Sequence, residues 1–323
     1  MNKKDFRIIF MGTPDFATES LKMLHTNGFN IVSVITAPDK PAGRGRNIQE
    51  SAVKKYAVAN NIHILQPTNL KAESFISELK NLKADLQVVV AFRMLPEIVW
   101  SMPKFGTVNL HASLLPRYRG AAPINHAIIN GETKTGVTTF FIEKEIDTGN
   151  IIFKKEIEIL PDETAGELHD KLMRTGGKLI IKTVESIMNN TVKIISQKEL
   201  LKDTVNIKPA PKIFKDNCEI NWENTTDKIY NFIRGLSPYP AAYTNIADKK
   251  YFMLKIFKSE KNIKKHTLKS GNIISDNKSF IKISTLDGYI DLKELQLQGK
   301  KRMNTKEFLN GFDISGYRII NKS

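Results

Sequence analysis

Residues 86–92 read LQVVVAF, with Val88, Val89 and Val90 in succession. A strand with so little polar alternation has to be covered on both faces, which is the condition of a parallel sheet flanked by helices. The surrounding segments agree with that requirement. Strand-like runs at residues 7–11, 31–36, 62–65, 107–113, 136–142 and 151–159 alternate with helical patterns at 16–26, 50–60, 73–82, 122–129 and 164–189. Such alternation predicts an α/β domain built on a mostly parallel sheet. Gly176-Gly177 is expected to weaken the long helix in which it lies.

The pattern changes after Asn190. Lys208-Pro209-Ala210-Pro211 carries two prolines in three residues and favours an extended connection. Beyond it a helical segment at 226–234 is expected to end at Gly235. Short strand-like runs at 251–257, 273–274, 280–285 and 289–292 then suggest a small β-barrel. The expected organisation is an α/β domain over 1–190, a linker over 191–208 and a barrel domain over 209–323.

Charge separates the two parts. The chain of 323 residues has 49 Lys+Arg against 34 Asp+Glu, a net +15. Residues 209–323 hold 21 and 12 of these (21 − 12 = +9), and residues 1–208 hold 28 and 22 (28 − 22 = +6). Lysines with few arginines suit phosphate neutralisation without base reading, and they equally suit a solvated surface. The single Cys218 excludes a disulfide framework and a Cys-cluster zinc site. No apolar run approaches the roughly 18 residues of a spanning helix, so a soluble cytoplasmic protein is expected.

The first βα turn, Gly12-Thr13-Pro14-Asp15, lacks the G-x-G-x-x-G spacing of a dinucleotide site, and no P-loop or His-Glu-x-x-His motif occurs. Chemistry is concentrated instead in Thr107-Val108-Asn109-Leu110-His111-Ala112-Ser113. Alternation along a strand puts Asn109, His111 and Ser113 on one face, at the carboxyl end where α/β sheets bind ligands. A core histidine with its hydrogen bonds satisfied is the competing explanation of His111. Asp147 lies in Glu145-Ile146-Asp147-Thr148-Gly149-Asn150, where an Asx turn with Gly149 at positive φ explains the sequence without catalysis. Pro116-Arg117-Tyr118-Arg119-Gly120 suits an anionic ligand or an ordinary turn. Residues 37–47 read as an exposed basic loop, in which Arg44 and Arg46 can fork onto phosphate.

Taken together, these segments resemble the methionyl-tRNA formyltransferases over essentially the whole chain. The resemblance is carried by Phe10-Met11-Gly12-Thr13-Pro14-Asp15-Phe16, the residue 38–46 loop, Asn109-Leu110-His111-Ala112-Ser113-Leu114-Leu115-Pro116-Arg117-Tyr118-Arg119-Gly120, Asp147-Thr148-Gly149 and Ile233-Arg234-Gly235-Leu236-Ser237-Pro238-Tyr239-Pro240-Ala241. It implies a Rossmann-like domain using 10-formyltetrahydrofolate and a C-terminal OB-like barrel that binds RNA. By the same analogy Asn109, His111 and Asp147 are catalytic, Ser113, Leu114, Leu115 and Pro116 line the folate site, and Lys40, Arg44 and Arg46 meet the initiator tRNA. Neither a metal nor a nicotinamide is implied. Two positions depart from the family pattern: Arg93 stands where glycine is usual, and His126 where tryptophan is frequent.

The implied chemistry is direct attack by the methionyl amine on the formyl carbon. Asn109 and His111 are suited to stabilise the oxyanion, and Asp147 to keep His111 cationic and relay a proton through water. No serine or cysteine sits beside a base in an obvious pair, so no covalent enzyme intermediate is expected. A formyltransferase of small amines (a sugar nucleotide or glycinamide ribonucleotide) and an inactive RNA-binding relative are the alternatives.

Overall fold

A computed structural model describes residues 2–42, 47–202 and 207–320. The chain divides into two compact units, one drawn from Met1–Gly120, Thr135–Ile157 and His169–Pro209, the other from Ala121–Lys134, Glu158–Leu168 and Ala210–Ser323.

The elements begin β1 (Arg7–Gly12), α1 (Asp15–Thr26), β2 (Asn30–Ile35), β3 (Lys40–Ala42), β4 (Asn47–Gln49), α2 (Ala52–Ala59) and β5 (Ile64–Leu65). They continue with α3 (Glu73–Asn81), β6 (Leu86–Val90), α4 (Glu97–Trp100), β7 (Thr107–His111), α5 (Pro123–Ile129), β8 (Lys134–Phe141), β9 (Ile151–Glu158), α6 (Ala165–Met188) and α7 (Gln197–Lys202). Among the described residues one sheet has the order β5-β2-β1-β6-β7-β8-β9. The pairings of β1 with β2 and β6, of β2 with β5 and of β6 with β7 are parallel, and β8 runs antiparallel to β7. Every residue of β6 is buried, as the valine run requires. Ile9, Met11, Ile35 and Val89 pack with Phe75 and Leu79 of α3 and Val99 of α4. The chain travels from β1 outward to β2 and β5, then crosses to β6 on the other side of β1. That reversal creates a switch point at the carboxyl ends of β1 and β6, with β7 alongside.

Two local expectations change. Gly176 lies in an unbroken α6, and a Cβ there would come within 2.6 Å of Leu110 Cδ2. The glycine serves close approach of helix to strand, which offsets its poor helix propensity. Within the expected loop 37–47, β3 and β4 form an antiparallel ribbon pairing Lys40 with Gln49 and Ala42 with Asn47. Side chains secure its base: Lys54 pairs with Asp39 and, at 2.9 Å, with Glu50, and Gln66 donates to the Ala37 carbonyl and to Asp39 Oδ1, both at 2.8 Å. Lys40 is exposed on the ribbon, whereas Arg44 and Arg46 lie outside the described residues.

Residues 191–208, expected as a linker, carry α7 and a two-way backbone bridge between Ile151 and Ile195 at 2.9 and 2.8 Å. Leu200 packs against buried Leu115, Phe140 and Ile151.

The second unit adds α8 (Thr226–Leu236), β10 (Ala242–Ala247), β11 (Tyr251–Asn262), β12 (Ile273–Ser275), β13 (Ile281–Ser284), β14 (Tyr289–Leu297), β15 (Met303–Asn304), α9 (Thr305–Gly311) and β16 (Arg318–Ile319). Its strands follow the order β12-β13-β14-β11-β10-β16, with β15 on β14, in an antiparallel sheet that nearly closes into a barrel. Ile229, Ile233 and Leu236 of α8 face Ile246, Leu254, Ile256, Ile283 and Ile290 in one core. Gly235 does not stop α8. It lies inside the helix, and a Cβ there would come within 2.7 Å of Ile129 Cγ1 on α5. Strand β10, AYTNIA, was not expected, because its residues show neither a β-branched run nor alternation, yet all but Ala247 are buried.

No helix among the described residues is long and apolar enough to cross a membrane. Nor do the described residues contain a group of three or more His, Cys, Asp or Glu that could hold a metal ion.

Candidate active site

Strand β7 delivers the polar pair. Asn109 sits opposite Val89 on one side and Phe140 on the other, and His111 sits opposite Thr138. Period-two alternation places the two side chains on one face of the sheet. Asn109 is half-buried, and its carboxamide has no hydrogen-bond partner among the described residues. His111 is 6% exposed. Its Nε2 donates to the Tyr118 carbonyl at 2.8 Å, which places a proton on that nitrogen. Nδ1 then faces Asp147 Oδ2 at 3.7 Å, too far for a direct hydrogen bond and within reach of a single bridging water or of a charge on the ring. Both ring nitrogens therefore face oxygen.

Asp147 is itself held from two directions. The Gly120 N–H donates to its Oδ2 at 3.0 Å. On the other side, Gln197 Nε2 donates to the Asp147 carbonyl at 3.0 Å and the Gly149 carbonyl at 2.8 Å. The expected turn geometry is corrected here. Asp147 takes the positive φ, at 56°, and Gly149 does not. A short polar side chain tolerates that conformation. Gly149 is needed because a Cβ would collide with the Phe141 carbonyl oxygen. Ala91 at the end of β6 (φ 47°) and Tyr118 (φ 60°) are also left-handed. Non-glycine residues in this region are costly and persist where surrounding contacts fix them.

The Ser113–Pro116 loop is braced by its neighbours. Ser113 Oγ donates to the Arg117 carbonyl at 2.7 Å, Thr138 Oγ1 donates to the Ser113 carbonyl at 2.6 Å, and the Leu115 N–H donates to Thr138 Oγ1 at 3.2 Å. Lys154 Nζ donates to the Leu115 carbonyl at 2.9 Å, and burial pushes its ammonium pKa down. Ser113, Leu115 and Pro116 are buried, and Leu114 is half-buried. Arg119, within the turn read as a possible anion site, gives its guanidinium to Gln197 Oε1 at 3.2 and 2.6 Å. Burial lowers the Arg119 pKa, opposed by the charges of Asp147 and Glu145. Arg93 turns to backbone rather than filling the end of β6, donating to the Thr68 carbonyl at 2.9 Å and to that of Pro67. His126, in the second unit, faces the Pro211 carbonyl at 3.0 Å.

Lys154 and Gln197 were not singled out in the sequence. Each is an isolated polar residue with no motif around it, and only strand pairing and the return of residues 191–202 bring them to this end of the sheet.

A family model described as formyl transferase matches residues 6–184, and one described as formyl transferase, C-terminal domain, matches residues 212–313. The N-formyltransferase from Helicobacter canadensis, solved with folinic acid and dTDP-3-aminofucose, shares the fold at TM-score 0.64 and 24% identity, over 90% of this chain and 99% of that one. Two relatives are far more similar in sequence. The methionyl-tRNA formyltransferase of Bacteroides thetaiotaomicron is 53% identical over 322 residues (99% of this chain, 100% of that one). That of Flavobacterium johnsoniae is 56% identical over 310 residues (96% and 97%). The chain belongs to the methionyl-tRNA formyltransferase family of formyl-transferring enzymes.

Proposed function

We propose that this protein moves the formyl group of 10-formyltetrahydrofolate to the α-amino group of methionyl-initiator tRNA by direct amine attack. The observation that carries the reading is the state of His111: Nε2 is committed to the Tyr118 carbonyl, and Nδ1 faces Asp147 without bonding to it. Nδ1 is thus the ring nitrogen available to substrate. Folate supplies the formyl group, carried on a nitrogen that must be protonated as it leaves. The unpartnered Asn109 carboxamide and a protonated His111 Nδ1 are two donors for the charge that develops on the formyl oxygen. Preorganised donors of this kind contribute about 2.7–4 kcal/mol each. Asp147 faces the ring, and through a water it takes the proton released by the attacking amine and passes it on to the departing folate nitrogen.

Ser113, Leu114, Leu115 and Pro116 form one wall for the folate, with half-buried Leu114 as the side chain that offers apolar surface. Lys40, on a ribbon whose base is fixed by Asp39 and Lys54, meets tRNA phosphates together with Arg44 and Arg46. The cytoplasm is the compartment where both substrates occur.

Initiator Met-tRNA, elongator Met-tRNA and free methionine, each incubated with 10-formyltetrahydrofolate, test the reading directly. Formylmethionine recovered by mass from the initiator form alone is the expected result. Product from none of the three, with folate bound, rejects the tRNA substrate.

A further inference from the structure

Gln197 lies in the segment that follows the long helix α6, outside every motif of the sequence, yet it is 1% exposed. All the hydrogen-bonding capacity of its carboxamide is used. Both Nε2 protons go to the backbone of the Asp147 turn, at 3.0 Å to the Asp147 carbonyl and 2.8 Å to that of Gly149. Its Oε1 accepts the Arg119 guanidinium at 3.2 and 2.6 Å. One side chain thereby joins the two loops that hold His111. Arg119 sits between Tyr118, whose carbonyl accepts from His111, and Gly120, whose N–H binds the Asp147 carboxylate.

We infer that Gln197 is a positioning residue for formyl transfer: it fixes the left-handed Asp147 turn and so the direction of the carboxylate toward His111. The inference rests on the reading of Asp147 and His111 as catalytic. An amide is required, because the position faces two acceptors on one side and a cation on the other. Glutamate pairs with Arg119 but sets a negative oxygen against two carbonyls, and methionine fills the space with no hydrogen bond. The seat of α7 is independent of the carboxamide, being set by the Ile151–Ile195 bridge and by Leu200 packed on Leu115, Phe140 and Ile151.

The test is a double-mutant cycle of Gln197→Met with Asp147→Asn, read as the single-turnover formylation rate, with KM for Met-tRNA and for the formyl donor measured in parallel. Gln197→Met is expected to slow formylation by about 10- to 100-fold, the cost of a misplaced catalytic group, with both KM values within about twofold of wild type. In the Asp147→Asn background the same change is expected to cost less than about twofold, because the group it positions is already gone. Gln197→Glu is expected to match Gln197→Met, and it carries the test if the methionine variant does not fold. Equal slowing in both backgrounds overturns the inference alone and marks Gln197 as structural. An Asp147→Asn enzyme with the wild-type rate overturns the catalytic reading of Asp147 and the inference with it.

Discussion

At the scale of single residues the site depends on which atoms are already occupied. His111 Nε2 is bound to a backbone carbonyl and the Asn109 carboxamide has no partner among the described residues, so the two side chains differ in what their loss removes. Asn109→Ala removes a proposed donor to the developing oxyanion and is expected to lower kcat by about 10²- to 10³-fold, with formyl-donor affinity little changed, as a binding titration alongside steady-state kinetics would show. His111→Ala also releases the Tyr118 carbonyl and leaves Asp147 without the ring it faces, so a larger loss is expected in the same assay. Cys218 supplies a contrast. Burial pushes its thiol pKa up, so little thiolate exists near neutral pH, and labelling by a thiol reagent should be slow in the native protein and fast in urea.

Elements are placed by glycines and caps that carry no catalytic signal. A Cβ at Gly235 would lie 2.7 Å from Ile129 Cγ1 and 3.1 Å from the Ile129 nitrogen, so Gly235→Ala should force α8 away from α5. The expected cost is about 1–3 kcal/mol, measured by urea unfolding. The start of α8 is held by Asp287, whose Oδ1 accepts the Thr226 N–H and hydroxyl, both at 2.8 Å. The Thr226 N–H holds this carboxyl below its ordinary pKa. Its contribution is therefore complete above the unfolded value of about 3.9 and is lost as pH falls through the lower folded value. Asp287→Ala should cost about 1 kcal/mol at pH 7, and the difference from wild type should shrink as unfolding is repeated in progressively stronger acid. The sequence shows why such features escape notice. Gly235 reads as a helix stop and Gly176 as a weak point, because local propensity cannot register the neighbour that demands a missing Cβ.

Over the whole molecule, a net +15 with +9 in residues 209–323 fits an enzyme whose larger substrate is a polyanion. Phosphate contacts release counterions, so kcat/KM for Met-tRNA is expected to fall by about tenfold or more between 50 and 200 mM salt, while formyl-donor affinity changes far less. Arg44→Ala should raise the KM for tRNA and leave that for the donor unchanged; equal loss of both would reject the assignment of the basic segment 38–46. The amino-acid sequence on its own determined the parallel sheet and the placing of Asn109 and His111 on one strand face. Both follow from local rules: an unbroken apolar run must be covered on two sides, and side chains alternate along a strand. The tertiary structure decided the rest. Asp147 lies 36 positions after His111 and Gln197 a further 50 along the chain, and no local periodicity links them. Their meeting depends on a strand order, a left-handed turn and the return of residues 191–202 to the sheet. Those are properties of packing between distant segments, and no short stretch of sequence contains them.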